Sequence, residues 1–319
     1  MSYAQGGLIE ATDYNNLTGG SAASSTANKL NTVWSTGSGS AGYGQTAVAN
    51  VSVSSTVTAT QWATLINALN NSRLHQSGSG TGITAPVAGN RIDFLSTLQS
   101  SIDTAYSSIL NFNANSATIT NAGSLSAYSA WTSTSTTNTL TRAFGARVTF
   151  ASADGARYFF NAGGRLKFNV SAVNNGGAAS RSAAATNLIG FLGGIALFAA
   201  NTTGGRTGAG GTLGTNTTTN GYYQLTTGNV NFVTITSTTA NYTTDTGNIS
   251  VRTNGAQGVN NDNGTQLEFW TNISSTSGGN AGGSFDDSLN ITPTVTIDIS
   301  YPSVTNLSNT WGAVTVTQL

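Results

Sequence analysis

The sequence contains no cysteine and a single histidine among its 319 residues. Without cysteine, neither disulfide bonds nor thiolate metal sites can hold the chain together, so its stability must come from sheet pairing, packing or association. Charged residues make up only 7% of the chain, whereas about 25% is usual in soluble domains. Threonine, serine, asparagine and glycine must therefore fill the surface. Such a surface is rare in monomeric cytosolic enzymes and suits a chain that is packed in an assembly or lies outside cells.

Long hydrophobic runs are also missing. The longest run, residues 188–200, has about 13 residues, and a helix needs roughly 20 to cross a bilayer. The first fifteen residues lack the basic and apolar regions of a secretory signal. We therefore expect no membrane insertion and no export directed by a signal peptide.

The few charges are unevenly distributed, although the formal net charge is zero. Residues 142–206 carry seven basic residues and one aspartate, whereas residues 245–298 carry six acidic residues and one arginine. Such segments can pair within one sandwich or between copies of the chain. Separate solvation of the charges on loops is a nearly equal alternative. The cations are too dilute to predict binding of nucleic acid.

The clearest β pattern lies in residues 147–170. Apolar side chains alternate there with small or polar ones, and Asp-Gly at 154–155 and Gly-Gly at 163–164 provide turns. The pattern predicts a three-stranded antiparallel meander. Its alternating residues are Val148, Phe150, Tyr158, Phe160, Leu166, Phe168 and Val170.

The first 80 residues predict short helices and one strand. Thr12-Asp13 is a plausible N-cap for a helical turn to residue 17, and a second turn is expected at 30–34. Residues 47–57 predict an edge strand. A short amphipathic helix should begin after Thr58 or Thr60. Its apolar face is formed by Trp62, Leu65, Ile66 and Leu69.

Residues 81–115 predict a linker followed by the strongest helix of the chain. Its apolar residues step 3-4-3-4, which is a narrow heptad seam and suits self-association. The run covers only about two and a half heptads, so packing against the preceding helix of the same chain is an equal alternative. The seam consists of Leu95, Leu98, Ile102, Ala105 and Ile109.

Residues 116–319 show strand signals about every ten residues, separated by Gly/Asn turns, which predicts an antiparallel, jelly-roll-like β-sandwich domain. The fold class is therefore mainly β with a small helical N-terminal part. A helix is expected at 183–192 and a Gly/Thr loop at 204–220. Strands are expected within 113–138 and at 195–200, 222–225, 231–237, 289–301 and 314–316, with a hairpin of 249–252 and 267–273 around a turn at 261–264.

Residues suited to metal binding or catalysis are few. His75 has no second histidine or cysteine to share a metal, so we expect a hydrogen-bonded loop histidine. Four carboxylates are weak calcium candidates, although ordinary turn chemistry explains Asp262 equally well. They are Asp262, Glu268, Asp286 and Asp287.

No catalytic motif is evident. There is no G-x-S-x-G elbow, and the glycine-rich residues 204–214 lack the lysine of a phosphate-binding loop. Only Glu10 and Glu268 are glutamates, which gives weak support to a glycosidase pair. We expect neither a catalytic residue nor a cofactor. Tyr222, Tyr223 and Trp270 are candidates for stacking on a sugar.

Several short blocks resemble those of a known family. They are IEATDYN at 9–15, LNTVW at 30–34, GYGQ at 42–45, TATQWATLIN at 58–67, HQ at 75–76 and RYFFNAGGRLKF at 157–168. The first five resemble a recurring N-terminal arrangement in virion structural proteins of tailed bacteriophages, cyanophages among them, and the last is similar to the β domain that often follows. The resemblance covers most of the chain in the expected order. It implies a structural role in tail, fibre, neck or collar, with Trp62 and Phe160 as scaffold positions.

The first hypothesis is therefore a non-enzymatic virion component, expected as a homotrimer in contact with other virion proteins. Residues 1–80 would attach it to the particle, and residues 116–319 would project or pack against neighbours. The second hypothesis is an adhesin that binds a host-surface glycan through the sandwich. The third is a depolymerase of surface polysaccharide.

Overall fold

The chain forms two compact units in a computed structural model. The structure describes residues 10–19, 29–37, 39–90, 92–113, 117–125, 127–134, 139–177, 180–197, 203–255, 264–276 and 288–319. The first unit draws its residues from Met1–Thr118, Arg157–Gly163 and Pro302–Trp311. The second draws them from Ile119–Ala156, Gly164–Tyr301 and Gly312–Leu319. The two later segments of the first unit have no counterpart in the expected division at residues 80 and 115.

The N-terminal part of the first unit contains four helices. They are α1 (Ala11–Thr18), α2 (Leu30–Trp34), α3 (Ala59–Ser77) and α4 (Leu95–Ser107). The predicted helix after Thr58 is confirmed as α3, because the Thr58 side chain accepts from the backbone N–H of Gln61 while the Gln61 side chain accepts from that of Thr58. The N-cap of α1 is Glu10 rather than the predicted Thr12-Asp13.

The edge strand predicted at residues 47–57 is not present: within the described chain this stretch pairs with no strand, and residues 53–55 form a turn. Two asparagine side chains supply the hydrogen bonds that a neighbouring strand would give. Asn15 donates to the carbonyl of Val51 and accepts from its N–H, both at 2.8 Å. Asn31 holds Val48 in the same way, both at 2.9 Å. The backbone N–H and C=O groups of Val48 and Val51 are thus satisfied by two side chains and need no neighbouring strand.

The second unit contains two antiparallel sheets. The strands are β1 (Ala117–Ser124), β2 (Trp131–Ser133), β3 (Leu140–Phe150), β4 (Arg165–Asn174), β5 (Gly194–Leu197), β6 (Thr203–Arg206), β7 (Thr212–Asn216), β8 (Val230–Thr236), β9 (Thr246–Thr253), β10 (Gln266–Ser275), β11 (Leu289–Pro302) and β12 (Val314–Gln318). One sheet has the order β1-β11-β4-β5-β6, with β2 also paired to β11, and the other has the order β12-β3-β10-β9-β8-β7. We call the second one the β10 sheet. The mainly β fold and the antiparallel sandwich are confirmed.

The core of this unit lies between the sheets. The ring of Phe168 on β4 stacks on that of Phe269 on β10, with centroids 5.4 Å apart. Helix α6 (Arg181–Leu192), predicted at 183–192, packs against β4 of one sheet and β8, β9 and β10 of the other. Gly247 on β9 eases its close approach, since a Cβ atom there would lie 3.0 Å from the Leu192 side chain.

The predicted meander at 147–170 is wrong in its middle strand. Residues Ala153–Asn161 form helix α5, and the flanking β3 and β4 belong to different sheets. Residues 155–162 are all buried, whereas an alternating strand with one exposed face would expose Phe159. Ser152 accepts from the N–H of Gly155 at 2.9 Å and supports the first turn of the helix.

Some of the other sequence predictions are confirmed and some are wrong. The strand pairing of the hairpin is confirmed, since β9 and β10 pair from Leu267↔Thr253 to Ser274↔Thr246, whereas residues 261–263 of its predicted turn lie outside the described residues. The last two strands are confirmed as β11 and β12. The predicted loop at 204–220 instead contains β7 and most of β6, and the predicted strand at 222–225 is a 3-10 turn, Tyr222–Gln224. Within the described residues, no helix is both long enough and apolar enough to cross a membrane.

Candidate functional site

The outer face of the β10 sheet carries the most distinctive cluster of polar side chains. Residues Leu267, Phe269 and Ile273 of β10 point to the core and are buried. The alternate positions, Glu268 and Trp270 among them, face the other way because side chains alternate along a strand. Trp270 is half-buried on this face.

Glu268 is held by arginines from both neighbouring strands. Its register partners are Arg147 on β3 and Arg252 on β9. Arg147 donates to Oε1 from Nε at 3.0 Å and Nη2 at 2.6 Å. Arg252 donates from Nε to Oε2 at 2.7 Å, and its Nη2 lies 2.6 Å from the same oxygen. One carboxylate therefore joins three strands. Arg147 of the basic residues 142–206 thus pairs with Glu268 of the acidic residues 245–298 within one chain.

The ionisation of Glu268 follows from these partners. Burial alone would raise the pKa of its carboxyl, but hydrogen bonds from Arg147, Arg252 and Trp270 outweigh burial and lower the pKa below its usual value. Glu268 is thus a carboxylate at neutral pH and is poorly suited to act as a general acid. The two guanidinium groups also oppose the binding of a cation, so Glu268 is a poor calcium ligand.

The same carboxylate orients Trp270. The indole Nε1–H donates to Glu268 Oε2 at 3.2 Å. The register partner of Trp270 on β3 is Gly145, where a Cβ atom would lie 2.1 Å from the carbonyl oxygen of Phe269. Because this position must be glycine, β3 presents no side chain beside the indole ring. The register partner on β9 is Ser250, whose buried hydroxyl has no hydrogen-bond partner among the described residues.

A shallow trough of about 490 Å³ crosses β3, β10, β9 and β8 next to this cluster. Most of its lining residues belong to the outward-facing positions, and most are small and uncharged. Asn272 Nδ2 donates to Asn248 Oδ1 at 2.8 Å on its floor. The lining consists of Thr141, Arg142, Ala143, Thr234, Ile235, Thr236, Thr246, Gly247, Asn248, Asn272, Ile273 and Ser274.

The other two aromatic candidates are not exposed. Tyr222 and Tyr223 have 0% and 7% of their surface accessible, and their rings pack edge to face with centroids 5.0 Å apart. The prediction that they contact a glycan is therefore wrong, because a 3-10 turn buries both residues where the sequence suggested a pairing strand. Trp270 is the aromatic candidate that remains.

The calcium prediction gains nothing from the described part of the chain. Asp262, Asp286 and Asp287 lie outside it, and Glu268 is bound by two arginines. Among the residues that are described, no three histidine, cysteine, aspartate or glutamate side chains are grouped to hold a metal ion.

His75 is an internal helix residue rather than the loop residue we expected. It lies in α3 and is fully buried, with Nε2 3.0 Å from the carbonyl oxygen of Ala162. Since a carbonyl only accepts, Nε2 carries the ring proton. Burial lowers the pKa of His75 to about 4, although the bond to Ala162 opposes part of that shift. The ring is neutral at pH 7 and serves the first unit's packing.

The heptad residues of α4 are covered within the chain. Leu95, Leu98, Ile102, Ala105 and Ile109 are all buried, and α4 packs against α1, α2 and α3. This arrangement corresponds to the alternative of packing within one chain, and these five side chains do not form an exposed seam. The scaffold positions Trp62 and Phe160 are also buried.

Two buried charges in the second unit were not singled out from the sequence as a pair. Arg181 on α6 donates from Nε to the hydroxyl of Ser275 at 3.0 Å, and that hydroxyl donates to Asp245 Oδ2 at 2.9 Å. Burial raises the pKa of Asp245, and hydrogen bonds from Thr276 and Ser275 limit the rise. The sequence shows that residues 142–206 are basic and residues 245–298 are acidic, which suggests that some of these charges lie close together. Only the fold shows that Arg181 and Asp245 are linked through Ser275.

Comparison of the chain with protein-family models, with curated proteins and with solved structures found no match.

Proposed function

We propose that the protein is a non-enzymatic structural component of a tailed-phage virion, in the tail, a fibre or the neck and collar, and that it assembles as a symmetric homotrimer. The resemblance of its sequence blocks to virion structural proteins suggests this role. The observation that carries the proposal is the use of buried ionisable groups as ties within the scaffold.

Each of these groups is engaged by backbone or by opposite charge. Arg157 donates to the carbonyls of Thr36 and Ala41, Glu268 joins three strands, and His75 is neutral and bonded to a carbonyl. Catalytic sites tend to hold ionisable groups poised to change charge or to meet a substrate. Here the described groups stabilise the fold, which suits a structural component.

The low charge content supports an assembled state. Chains with few surface charges lack the electrostatic repulsion that keeps proteins apart, and threonine- and asparagine-rich sheet faces can pack on copies of themselves. The buried residues of α4 do not supply the contact, so the trimer interface must lie on other surfaces of the chain.

Sedimentation equilibrium of the purified chain at micromolar concentration tests the assembly. A trimer of the 32.3 kDa chain has a mass near 97 kDa (3 × 32.3). We expect that mass and no decline in it on tenfold dilution. A monomer at every concentration counts against the proposal.

Location on a particle is tested separately. Phage particles carrying the chain with a C-terminal epitope should bind gold-labelled antibody at one fixed position in the tail or neck. Labelling of free protein in the lysate, with none on purified particles, contradicts a virion role.

Trp270 supports a second candidate function, that of a carbohydrate-binding adhesin, because it is a half-buried aromatic on a polar sheet face.

A further inference from the structure

We propose that the outer face of the β10 sheet binds an uncharged carbohydrate, with Trp270 as the platform for one sugar ring and the neighbouring trough as the site of hydrogen bonds. This goes beyond the structural role, and it holds or fails independently of assembly.

The trough has the chemistry of a polyhydroxylated, neutral ligand. Its lining includes the hydroxyls of four threonines and one serine and the two carboxamides of Asn248 and Asn272. The bond between these carboxamides uses one N–H of Asn272 and the oxygen of Asn248. The Asn272 oxygen and the Asn248 amino group can therefore offer an acceptor and donors to sugar hydroxyls.

The indole ring is held ready for stacking. Its N–H is bonded to Glu268, which is fixed in turn by Arg147 and Arg252. A side chain already held in its bound orientation loses little freedom when a ligand arrives. An aromatic face is a suitable surface for the apolar face of a sugar.

The platform and the trough are at the right separation for one ligand. Trp270 and Asn272 are two residues apart on the same face of β10, which corresponds to about 7 Å along the strand. A short oligosaccharide can therefore place one ring on Trp270 and the next over the carboxamides. The volume of about 490 Å³ lies within the usual range for small-ligand sites, roughly 300–1,000 Å³.

An acidic oligosaccharide is the alternative ligand, because three arginines and one carboxylate lie in or beside the site. The carboxylate of Glu268 faces Arg147 and Arg252 and compensates part of their charge. Arg142 lines the trough, but its Nη2 donates to the hydroxyl of Ser129 at 3.1 Å. The lining thus offers mainly neutral donors and acceptors.

The test uses the full chain on an array of neutral oligosaccharides (β-glucan, mannan and galactan hexamers) with alginate hexamers as the acidic comparison, followed by titration calorimetry of any ligand. We expect at least one neutral hexamer to bind. Trp270→Ala should weaken that binding at least tenfold, and Asn272→Ala about tenfold. Trp34→Ala, which removes a half-buried tryptophan of the first unit, should leave it unchanged.

Circular dichroism melts establish that each variant is folded. If Trp270→Ala does not fold, the half-buried Asn272 carboxamide still decides the question through its own variant. The proposal is overturned if no neutral hexamer binds, if binding survives both substitutions, or if only alginate binds and Arg142→Gln abolishes that binding.

Discussion

His75 should make the first unit sensitive to acid. Its ring is neutral and buried, and its pKa is about 4 in the folded chain, compared with about 6.5 when unfolded. The unfolded chain therefore binds the extra proton first, so stability is complete above pH 6.5 and is lost as the pH falls towards 4. Each pKa unit corresponds to about 1.4 kcal/mol, which gives a loss of about 3 kcal/mol.

Replacing His75 by glutamine should remove this dependence. The amide can still donate to the carbonyl of Ala162, but it does not titrate. We expect the stability lost between pH 7 and pH 4.5 to be about 2–3 kcal/mol smaller in His75→Gln than in the parent. Urea unfolding at both pH values measures it, and equal losses in the two proteins would show that His75 does not control the acid response.

Arg157 is a second residue on which the first unit depends. Its guanidinium donates to the carbonyl oxygen of Thr36 at 2.7 Å and also to that of Ala41. A lysine ammonium cannot span both carbonyls in this planar geometry. Because hydrogen bonds to charged groups contribute about 1.5–3 kcal/mol each, we expect Arg157→Lys to reduce the free energy of unfolding by about 2–4 kcal/mol.

The matched control for this change is Arg142→Lys, which alters an exposed bond to Ser129 and should stay within about 0.5 kcal/mol of the parent. Both variants are compared by urea unfolding at pH 7. A loss as small in Arg157→Lys as in the control would mean that solvent replaces its hydrogen bonds.

At the scale of elements, α3 depends on its first turn. Thr58 and Gln61 exchange side-chain and backbone hydrogen bonds at the N-terminus of this helix. Removing the hydroxyl in Thr58→Ala should cost about 1 kcal/mol. The control is Thr60→Ala, at the second residue of the helix. It should cause no loss of stability, since alanine is the better helix former. Thermal unfolding followed by circular dichroism distinguishes the two, and equal melting temperatures would argue against the cap.

The sequence predicts some elements well because their periodicity and their surroundings agree. Strand β11 alternates buried and half-buried residues along almost its whole length, so its pattern is unambiguous. The sequence does not predict helix α5, because Tyr158 and Phe160 also fit an alternating strand and only the apolar Phe159 between them contradicts it. Residues 47–57 resemble a strand in sequence, but asparagine side chains from other elements bind the backbone of Val48 and Val51.

The candidate site was only partly predictable, because its geometry depends on strand register and tertiary burial, which the sequence does not show. Trp270 stands out in the sequence as an aromatic in a predicted strand. The arginines on either side of Glu268 and the missing side chain at Gly145 become visible only when the strand register is known. Tyr222 and Tyr223 looked equally suitable, and only a tertiary environment that buries both separates them from Trp270.

At the scale of the whole molecule, the first unit should depend on the end of the chain. Leu307 and Trp311 are buried, and Gln45 donates to the carbonyl of Ser308 at 3.0 Å and accepts from its N–H at 2.8 Å. A variant that ends at Tyr301 lacks all of these groups. We expect loss of the cooperative unfolding transition of the first unit, although the missing residues lie about 200 positions from the helices.

Amide hydrogen exchange measures this effect residue by residue. Protection in α3 and α4 should fall to that of an open chain when residues 302–319 are removed. The control removes β12 alone, by ending the chain at Trp311, and should leave protection in these helices intact. Full protection in both shortened chains would show that the first unit is complete without its last segment.

The late position of residues 302–311 also matters during translation. A ribosome adds about 5–20 residues per second, so about 10–40 s pass between the emergence of the helices and that of Trp311. Throughout that interval the nascent N-terminal half cannot close over its apolar groups. Folding of the first unit must therefore wait until residues 302–311 have been synthesised.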